Sequence, residues 1–228
     1  MAEGGLPAIL SYAGRTDRPR AQPVPVRVGG FGGLDGLRDW LLVNGIARVV
    51  DATHPFAAQI SANAIAGCRA AGVPLVALER PAWVAGAGDR WTHVRDVEDA
   101  VQALDGPARR VFLAIGRQNL QPFASQPQHH YLLRLVDPPD TPLPLRHHAI
   151  EIATGPFDAA GDRALMERHG VEVIVAKNAG GSGAEAKLVA ARSLGLPVIM
   201  IARPKIPVRQ TVTSVDAAMD WVHADLGV

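Results

Sequence analysis

The sequence predicts an α/β fold with mostly parallel sheets, and three observations support this prediction. Short runs rich in Val, Ile and Leu recur along the 228 residues, and several are apolar at consecutive positions, as in strands that helices cover on both faces. Longer Ala-rich stretches with helical spacing separate these runs. Strand and helix signals therefore alternate along most of the chain, which is typical of βαβ units.

The predicted elements alternate in chain order. Strands are expected over residues 8–12, 46–51, 74–79, 110–116, 131–136, 149–154, 171–177 and 197–202. Helices are expected over residues 34–44, 56–71, 97–104, 158–169, 184–194 and 214–224. Two segments rich in proline, residues 15–33 and 137–144, are expected to be loops or connections.

A stop signal suggests that the chain forms two domains. Asp105, Gly106 and Pro107 end the helical pattern just before the strand expected at residue 110. The resulting parts, residues 1–105 and 106–228, are each large enough for a small domain.

Composition excludes several classes of protein. The net charge is +1 with acids and bases interspersed, which argues against binding to nucleic acid or to a membrane surface. The single cysteine, Cys68, cannot form an internal disulfide and is expected to be a buried small residue. No apolar run or leader pattern indicates a membrane span or a secretory signal, so a cytoplasmic location is expected.

Polar residues follow the strand expected at residues 46–51. Asp51, Thr53 and His54 precede Pro55, which is expected to occupy the first helical position. Ligands of open α/β sheets bind at this carboxyl edge of the strands. The alternative is that Asp51 or Thr53 only caps the helix.

A second loop, residues 11–16, follows the first expected strand and contains Arg15 and Thr16. In a dinucleotide-binding domain such a loop meets the adenosine ribose, where an arginine accommodates a 2′-phosphate. Arg15 therefore favours NADPH over NADH, unless it is simply a solvated loop residue.

A third loop joins the strand ending at Lys177 to an Ala-rich helix. Asn178, Gly180 and Gly181 would let the backbone approach an anionic ligand beside the start of that helix. The loop matches neither the GxxxxGK[ST] phosphate loop nor the GxGxxG pattern, and a plain tight turn is the alternative.

Two arginines lie at or near strand ends. Arg134 falls inside an apolar strand, so it is expected to face a ligand or to pair with Asp137 or another acid; Arg117 follows the preceding strand. Residues 129–130 and 147–148 are histidine doublets. Because adjacent residues of a strand point to opposite faces, the two histidines of a doublet are poorly placed to bind one metal ion, and no metal site is expected.

These segments together resemble the precorrin-6A reductase family. The resemblance rests on SYAGRT, VRVGGFGG, VVDATHPFA, ERPAW, GDRW, FLAIGRQ, HHYLLRLVDPP, GPF, KNAGGSGAEAKL and LGLPVIMIARP, in this order from about Leu6 to Val215. It implies an enzyme of two Rossmann-like domains that uses NADPH, without metal or flavin, to reduce one double bond of the precorrin-6A macrocycle in cobalamin biosynthesis. A related reductase acts on the cobalt-containing macrocycle.

The resemblance also implies site residues. Those expected at the coenzyme are Ser11, Gly14, Arg15, Thr16, Gly30, Phe31, Asp51, Thr53, Pro55, Asn178 and Gly181. Those expected at the carboxylates of the tetrapyrrole substrate are Arg80, Arg117, Arg134 and Lys177, ranked before Lys187. His54 and Lys177 are the candidate catalytic residues, with His54 the expected proton donor because imidazole titrates near neutrality. Solvent is the alternative donor, and a monomer is expected.

One departure from the family concerns the first domain. Members usually open with a strand and a Gly-Gly-Thr loop, whereas residues 1–7 resemble the end of the helix that follows, so a unit of roughly 20 residues is expected to be absent. A start assigned too late is the preferred explanation, and a fragment is the alternative. Two other functions stay open, namely a non-catalytic dinucleotide- or tetrapyrrole-binding module and a transferase acting on a small anion.

Overall fold

The computed structural model describes residues 5–14 and 21–224 and divides the chain into two compact units. The first unit comprises Met1–Arg80 and Lys205–Val228, and the second comprises Pro81–Pro204. The boundary expected after residue 105 differs from this division, because it lies inside the second unit. There Asp105, Gly106 and Pro107 only connect a helix to the next strand of the same unit.

The described strands of the first unit all pair in parallel and form two sheets. Its elements are β1 (Leu10–Tyr12), β2 (Val26–Val28), α1 (Gly33–Val43), β3 (Val49–Asp51), α2 (Ala58–Ala71), β4 (Leu75–Leu78), β11 (Gln210–Val212) and α6 (Val215–His223). The strand orders are β1–β2 and β11–β4–β3, and among the described residues no strand joins the two sheets.

The core of the first unit lies between α1 and α2. Leu37 and Leu41 of α1 pack against Ala64 and Cys68 of α2, with aromatic residues at the margin. Small residues allow this close packing, since an added Cβ at Gly67 would lie 3.1 Å from the Leu37 side chain.

The second unit contains one six-stranded parallel sheet. Its elements are β5 (Arg90–Val94), α3 (Val97–Gln102), β6 (Arg110–Ala114), β7 (His130–Leu135), β8 (His148–Ile152), α4 (Ala159–His169), β9 (Val173–Lys177), α5 (Ala186–Leu194) and β10 (Pro197–Ile201). The strand order is β5–β10–β9–β6–β7–β8. Phe112, Ile174 and Met200 lie in its core and are fully buried, which explains why the central strands are continuously apolar.

The order of the strands creates a switch point between β6 and β9. From β6 the chain moves to β7 and β8, whereas from β9 it moves the other way to β10. Because such crossovers are right-handed, the segments that follow β6 and β9 lie on opposite faces of the sheet. A crevice at the carboxyl ends of such a pair of strands is the usual ligand site of open α/β sheets.

The α/β prediction and all eight predicted strands and six predicted helices are confirmed, with ends that differ by a few residues. Three strands were not predicted: β2 lies in a segment expected to be a loop, β5 has several exposed polar residues, and β11 has only three residues. Residues 137–144 form neither helix nor strand, as expected. No helix in the described part of the chain is long and apolar enough to cross a membrane.

Gly36 in α1 provides a test of the packing in the first unit. Replacing a helical glycine with alanine usually stabilises a helix by up to about 1 kcal/mol, but a Cβ at Gly36 would lie 1.7 Å from the Phe31 carbonyl oxygen. We therefore expect Gly36→Ala to lower the free energy of unfolding by roughly 1–3 kcal/mol in urea titrations. Gly161→Ala in α4, where the Cβ makes only ordinary contacts, is the control and should be neutral or stabilising. A stabilised Gly36→Ala variant would contradict the described packing.

Candidate functional site

In the first unit, Asp51 organises the turn that follows β3. Its carboxylate is buried, and Oδ1 accepts hydrogen bonds from the Thr53 backbone N–H at 3.1 Å and from the Thr53 hydroxyl at 2.7 Å. The Thr53 hydroxyl also lies 3.1 Å from the Ser61 hydroxyl in α2. The capping alternative is therefore wrong, because Ala57 is the N-cap of α2 and no side chain caps it. Pro55 lies in the turn three residues before Ala58 and is not the first helical residue.

The second carboxylate oxygen of Asp51, Oδ2, is buried and makes no hydrogen bond to the described residues. Buried carboxylate oxygens normally accept hydrogen bonds, so this atom could accept one from a ligand hydroxyl or amide at the carboxyl edge of β3. Burial, together with the charge of Asp51, raises the pKa of Cys68 to about 11. That thiol is therefore protonated at neutral pH and serves as a packing residue.

His54 is exposed in the same turn. Its Nδ1 accepts a hydrogen bond from the Phe56 backbone N–H at 3.2 Å, so the neutral imidazole carries its proton on Nε2. His54 can therefore present an N–H donor to a ligand. Within residues 5–14 and 21–224, no group of three or more His, Cys, Asp or Glu side chains could hold a metal ion.

Arg27 lies near the carboxyl edge of β1 and β2, among four of the predicted coenzyme residues. It contacts Ser11, Gly30 and Phe31, whereas Gly14 lies beside Val28 and Gly29. Arg27 donates to the carbonyl oxygens of Gly29 at 2.6 Å and Gly30 at 2.7 Å, and its guanidinium lies 3.7 Å from the centre of the Phe31 ring. Arg15 and Thr16 lie outside the described residues.

The second unit holds its glycine-rich loop at the switch point between β6 and β9. Asn178 accepts from the Trp83 backbone N–H at 2.8 Å and donates to the Trp83 carbonyl at 3.0 Å, while the Trp83 indole donates to the Gly181 carbonyl at 3.0 Å. Gly180 has a φ of +68°, and a Cβ there would lie 2.0 Å from the Pro81 carbonyl oxygen. The backbone therefore passes this point only because residue 180 is glycine.

Of the predicted substrate-binding cations, Arg134 is already paired. Its guanidinium binds the buried carboxylate of Asp162 and lies 3.6 Å from the centre of the Phe157 ring. Arg134 therefore forms an ion pair, as the alternative interpretation of this residue expected, but its partner is Asp162 and not Asp137. A guanidinium held in this way is not available at the surface for a substrate carboxylate.

The other predicted cations lie near carboxyl strand ends. In the second unit, Lys177 is the last residue of β9, and Arg117 is exposed after β6, 3.7 Å from Asp140. In the first unit, Arg80 is exposed two residues after β4. These positions are compatible with binding carboxylates.

Lys187 is buried beneath the loop of the second unit rather than exposed. Its ammonium group donates to the Ala184 carbonyl and lies 4.8 Å from the centre of the Trp83 ring. Burial, and secondarily the charge of Arg134, lowers the pKa of Lys187 to about 8, although Asp162 opposes this shift.

Three residues of these loops, Arg27, Trp83 and Arg203, were not predicted from the sequence. Arg203 donates to the carbonyl oxygens of Asn178 and Ala179 at 2.9 and 3.2 Å and so supports the same loop as Trp83. A usable signal existed, because Arg27 and Trp83 fall within the quoted motifs VRVGGFGG and ERPAW.

The sequence matches the family model described as Precorrin-6x reductase CbiJ/CobK over residues 1–223. The precorrin-6A reductase of Rhodobacter capsulatus is 57% identical over 227 residues, which are 100% of this chain and 90% of the relative. The cobalt-precorrin-6A reductase of Priestia megaterium is 33% identical over 193 residues, 80% of this chain and 75% of the relative. A solved structure described as CobK precorrin-6A reductase aligns with a TM-score of 0.93 at 58% identity, covering 96% of this chain and 87% of that one. The resemblance noted in the sequence is therefore confirmed.

Gly180 provides the sharpest test of the loop geometry. We expect Gly180→Ala to cost roughly 1–3 kcal/mol more than Gly195→Ala, because only at residue 180 would the Cβ meet backbone atoms. Both glycines have left-handed backbone conformations, with φ values of +68° and +65°, so the conformational strain is matched. Urea unfolding of both variants measures the difference, and equal losses would contradict the close approach.

Lys187 should make stability depend on pH in the alkaline range. Below pH 8 the Lys187 side chain is charged in both the folded and the unfolded chain, and burial of the charge destabilises the folded chain. Between about pH 8 and pH 10.5 the side chain is neutral in the folded chain and still charged in the unfolded chain. The free energy of unfolding of the natural chain, relative to Lys187→Met, should therefore rise by a few kcal/mol from pH 7.5 to pH 10 at about 1.4 kcal/mol per pKa unit. Urea unfolding at both pH values measures this difference, and a pH-independent difference between the natural chain and Lys187→Met would rule out the lowered pKa of Lys187.

Proposed function

The chain belongs to the precorrin-6x reductase family, and on this premise we propose that it reduces one double bond of precorrin-6A to give dihydro-precorrin-6 in cobalamin biosynthesis. The observation that carries the proposal is the match along the whole chain to relatives named precorrin-6A reductase. Relatives named cobalt-precorrin-6A reductase are less similar, which favours the cobalt-free macrocycle as substrate.

A reductase of this family needs a nicotinamide coenzyme, and we propose NADPH. The described residues fit such a group: glycine turns with little side-chain bulk adjoin Ser11 and Arg27, and Asp51 Oδ2 can accept from a coenzyme hydroxyl or amide. The bound coenzyme would supply a hydride to an electron-poor carbon of the macrocycle. Arg15 remains the candidate for selecting the 2′-phosphate.

The substrate carries many acetate and propionate carboxylates, so its orientation depends on cations. Arg117, Lys177 and Arg80 are the candidates, since each stands at or just beyond the carboxyl end of a strand. In this proposal Arg134 supports the sheet through its pair with Asp162. Orientation accounts for much of the rate, because correctly placed reactants can lower a barrier by roughly 7–11 kcal/mol.

Reduction also requires a proton at the carbon next to the one that receives the hydride. We propose that His54 delivers it, because its ring is exposed and its Nδ1 contact with Phe56 leaves the proton on Nε2. Solvent is the alternative donor and becomes an outcome of the test below.

The proposed activity is tested with purified protein, precorrin-6A or its cobalt complex, and either NADPH or NADH. We expect oxidation of the coenzyme, followed by its near-ultraviolet absorbance, with precorrin-6A and preferentially with NADPH. Faster turnover of the cobalt complex would favour the anaerobic substrate. Coenzyme binding without turnover of either macrocycle would contradict the proposal and favour a binding module.

Replacing His54 tests the proton donor. With NADPH and precorrin-6A saturating, His54→Ala should lower kcat by on the order of 100-fold, because general acids contribute roughly that much or more. The KM for NADPH should change little. The control is His130→Ala. His130 is exposed at the amino end of β7, and therefore lies at the edge of its sheet opposite to the carboxyl ends of the strands. Unchanged turnover of His54→Ala would identify solvent as the donor.

A further inference from the structure

The guanidinium group of Arg27 contacts four residues of the first unit, one in β1 and three in the turn after β2. Arg27 lies in β2 directly opposite Ser11 of β1 in the parallel register. One terminal nitrogen donates to the Gly29 carbonyl at 2.6 Å and approaches the Ser11 hydroxyl at 3.4 Å, and the other donates to the Gly30 carbonyl at 2.7 Å. The guanidinium carbon lies over the Phe31 ring, 3.7 Å from its centre.

The aromatic contact connects this arrangement to the packed core. The Phe31 and Trp40 rings meet edge to face at 5.2 Å, and both pack against the buried residues between α1 and α2. Arg27 therefore fixes the turn after β2 from two sides, through backbone carbonyls and through a ring anchored in the core. The turn needs such support, because Gly29 has a φ of +111° and the glycines that follow impose little restriction of their own.

Arg27 makes no ion pair with an acid in residues 5–14 and 21–224. Among the described residues no carboxylate lies within ion-pairing distance of it, in contrast to Arg38 of α1, which binds Asp35 and Asp39. Its donors point at the carbonyl oxygens of Gly29 and Gly30, and the resemblance assigns Gly30 to the coenzyme.

We infer that Arg27 is a positioning residue for the coenzyme. It holds Gly29, Gly30 and Phe31 in the conformation that receives the adenosine part of a dinucleotide and makes no direct contact with the 2′-phosphate. The inference rests on the proposed function and adds a residue to it. Lysine cannot replace this role, because an ammonium group lacks the planar fork that binds two carbonyls while stacking on a ring.

The test is a direct binding titration of the purified chain with NADPH and with NADH, followed by coenzyme fluorescence and without macrocycle. Arg27→Lys keeps the charge, so the Kd should rise by roughly ten-fold or more for both coenzymes and by the same factor, as expected for the loss of charge-assisted hydrogen bonds. With saturating coenzyme and substrate, kcat should stay within about two-fold of the natural value, because the loss affects binding alone.

Two further variants make the result specific. Arg38→Lys is the matched control and should leave both Kd values unchanged, since it alters an exposed ion pair of the same unit. Phe31→Leu keeps an apolar side chain against the core but removes the ring beneath the guanidinium and its edge contact with Trp40. It should therefore weaken the binding of both coenzymes in the same direction, even if Arg27→Lys does not fold.

The outcomes separate this inference from the proposed function. Equal binding by the natural chain and Arg27→Lys would overturn the inference alone, and so would a loss confined to NADPH, which indicates direct contact with the phosphate. Failure of the natural chain to bind either coenzyme would overturn both.

Discussion

The parallel direction of the strands in each unit is the constraint on which both candidate site regions depend. It gathers the carboxyl ends of β3 and β4 in the first unit, and those of β6 and β9 in the second, at one edge of each sheet. Backbone that turns at such an edge can approach a ligand only where side chains are small. This requirement is met by Gly29, Gly30, Gly32 and Gly33 after β2 and by Gly180 and Gly181 after β9, and the buried carboxylate of Asp51 adds an acceptor after β3.

Each unit supports its glycine turn with a cation on an aromatic ring. In the first unit the Arg27 guanidinium contacts the Phe31 ring. In the second unit the Lys187 ammonium contacts the Trp83 ring, and the Trp83 indole donates to the Gly181 carbonyl. Such contacts contribute about 0.5–2 kcal/mol and restrict orientation as well as distance. The supporting cations are therefore part of the loop architecture, which leaves the exposed Arg117, Arg80 and the strand-end Lys177 for the substrate in the proposed function.

Local signals predicted the regular elements but not the partners of their side chains. Apolar runs and helical periodicity located most strands and helices, whereas β2 was missed because its three residues lie among prolines and glycines. The start of α2 expected at Pro55 was wrong, because α2 begins at Ala58. The boundary expected after residue 105 lies inside the second unit, since proline and glycine stop a helix without specifying whether the next segment belongs to a new unit. Arg134 was recognised as an unusual charge, but its partner Asp162 lies 28 residues away in α4. Arg27 was not singled out because only the folded turn brings its donors to Gly29 and Gly30.

The proposed function depends on one step, the transfer of a hydride from a nicotinamide coenzyme to the precorrin-6A macrocycle. The most direct measurement is mass spectrometry of the tetrapyrrole after a single turnover with NADPH deuterated at the transferable position of the nicotinamide. If the hydride is transferred as proposed, the product contains one deuterium from the coenzyme, and one further deuterium when the reaction is run in heavy water. A reduced product without coenzyme-derived deuterium, or an unreduced macrocycle, would contradict it.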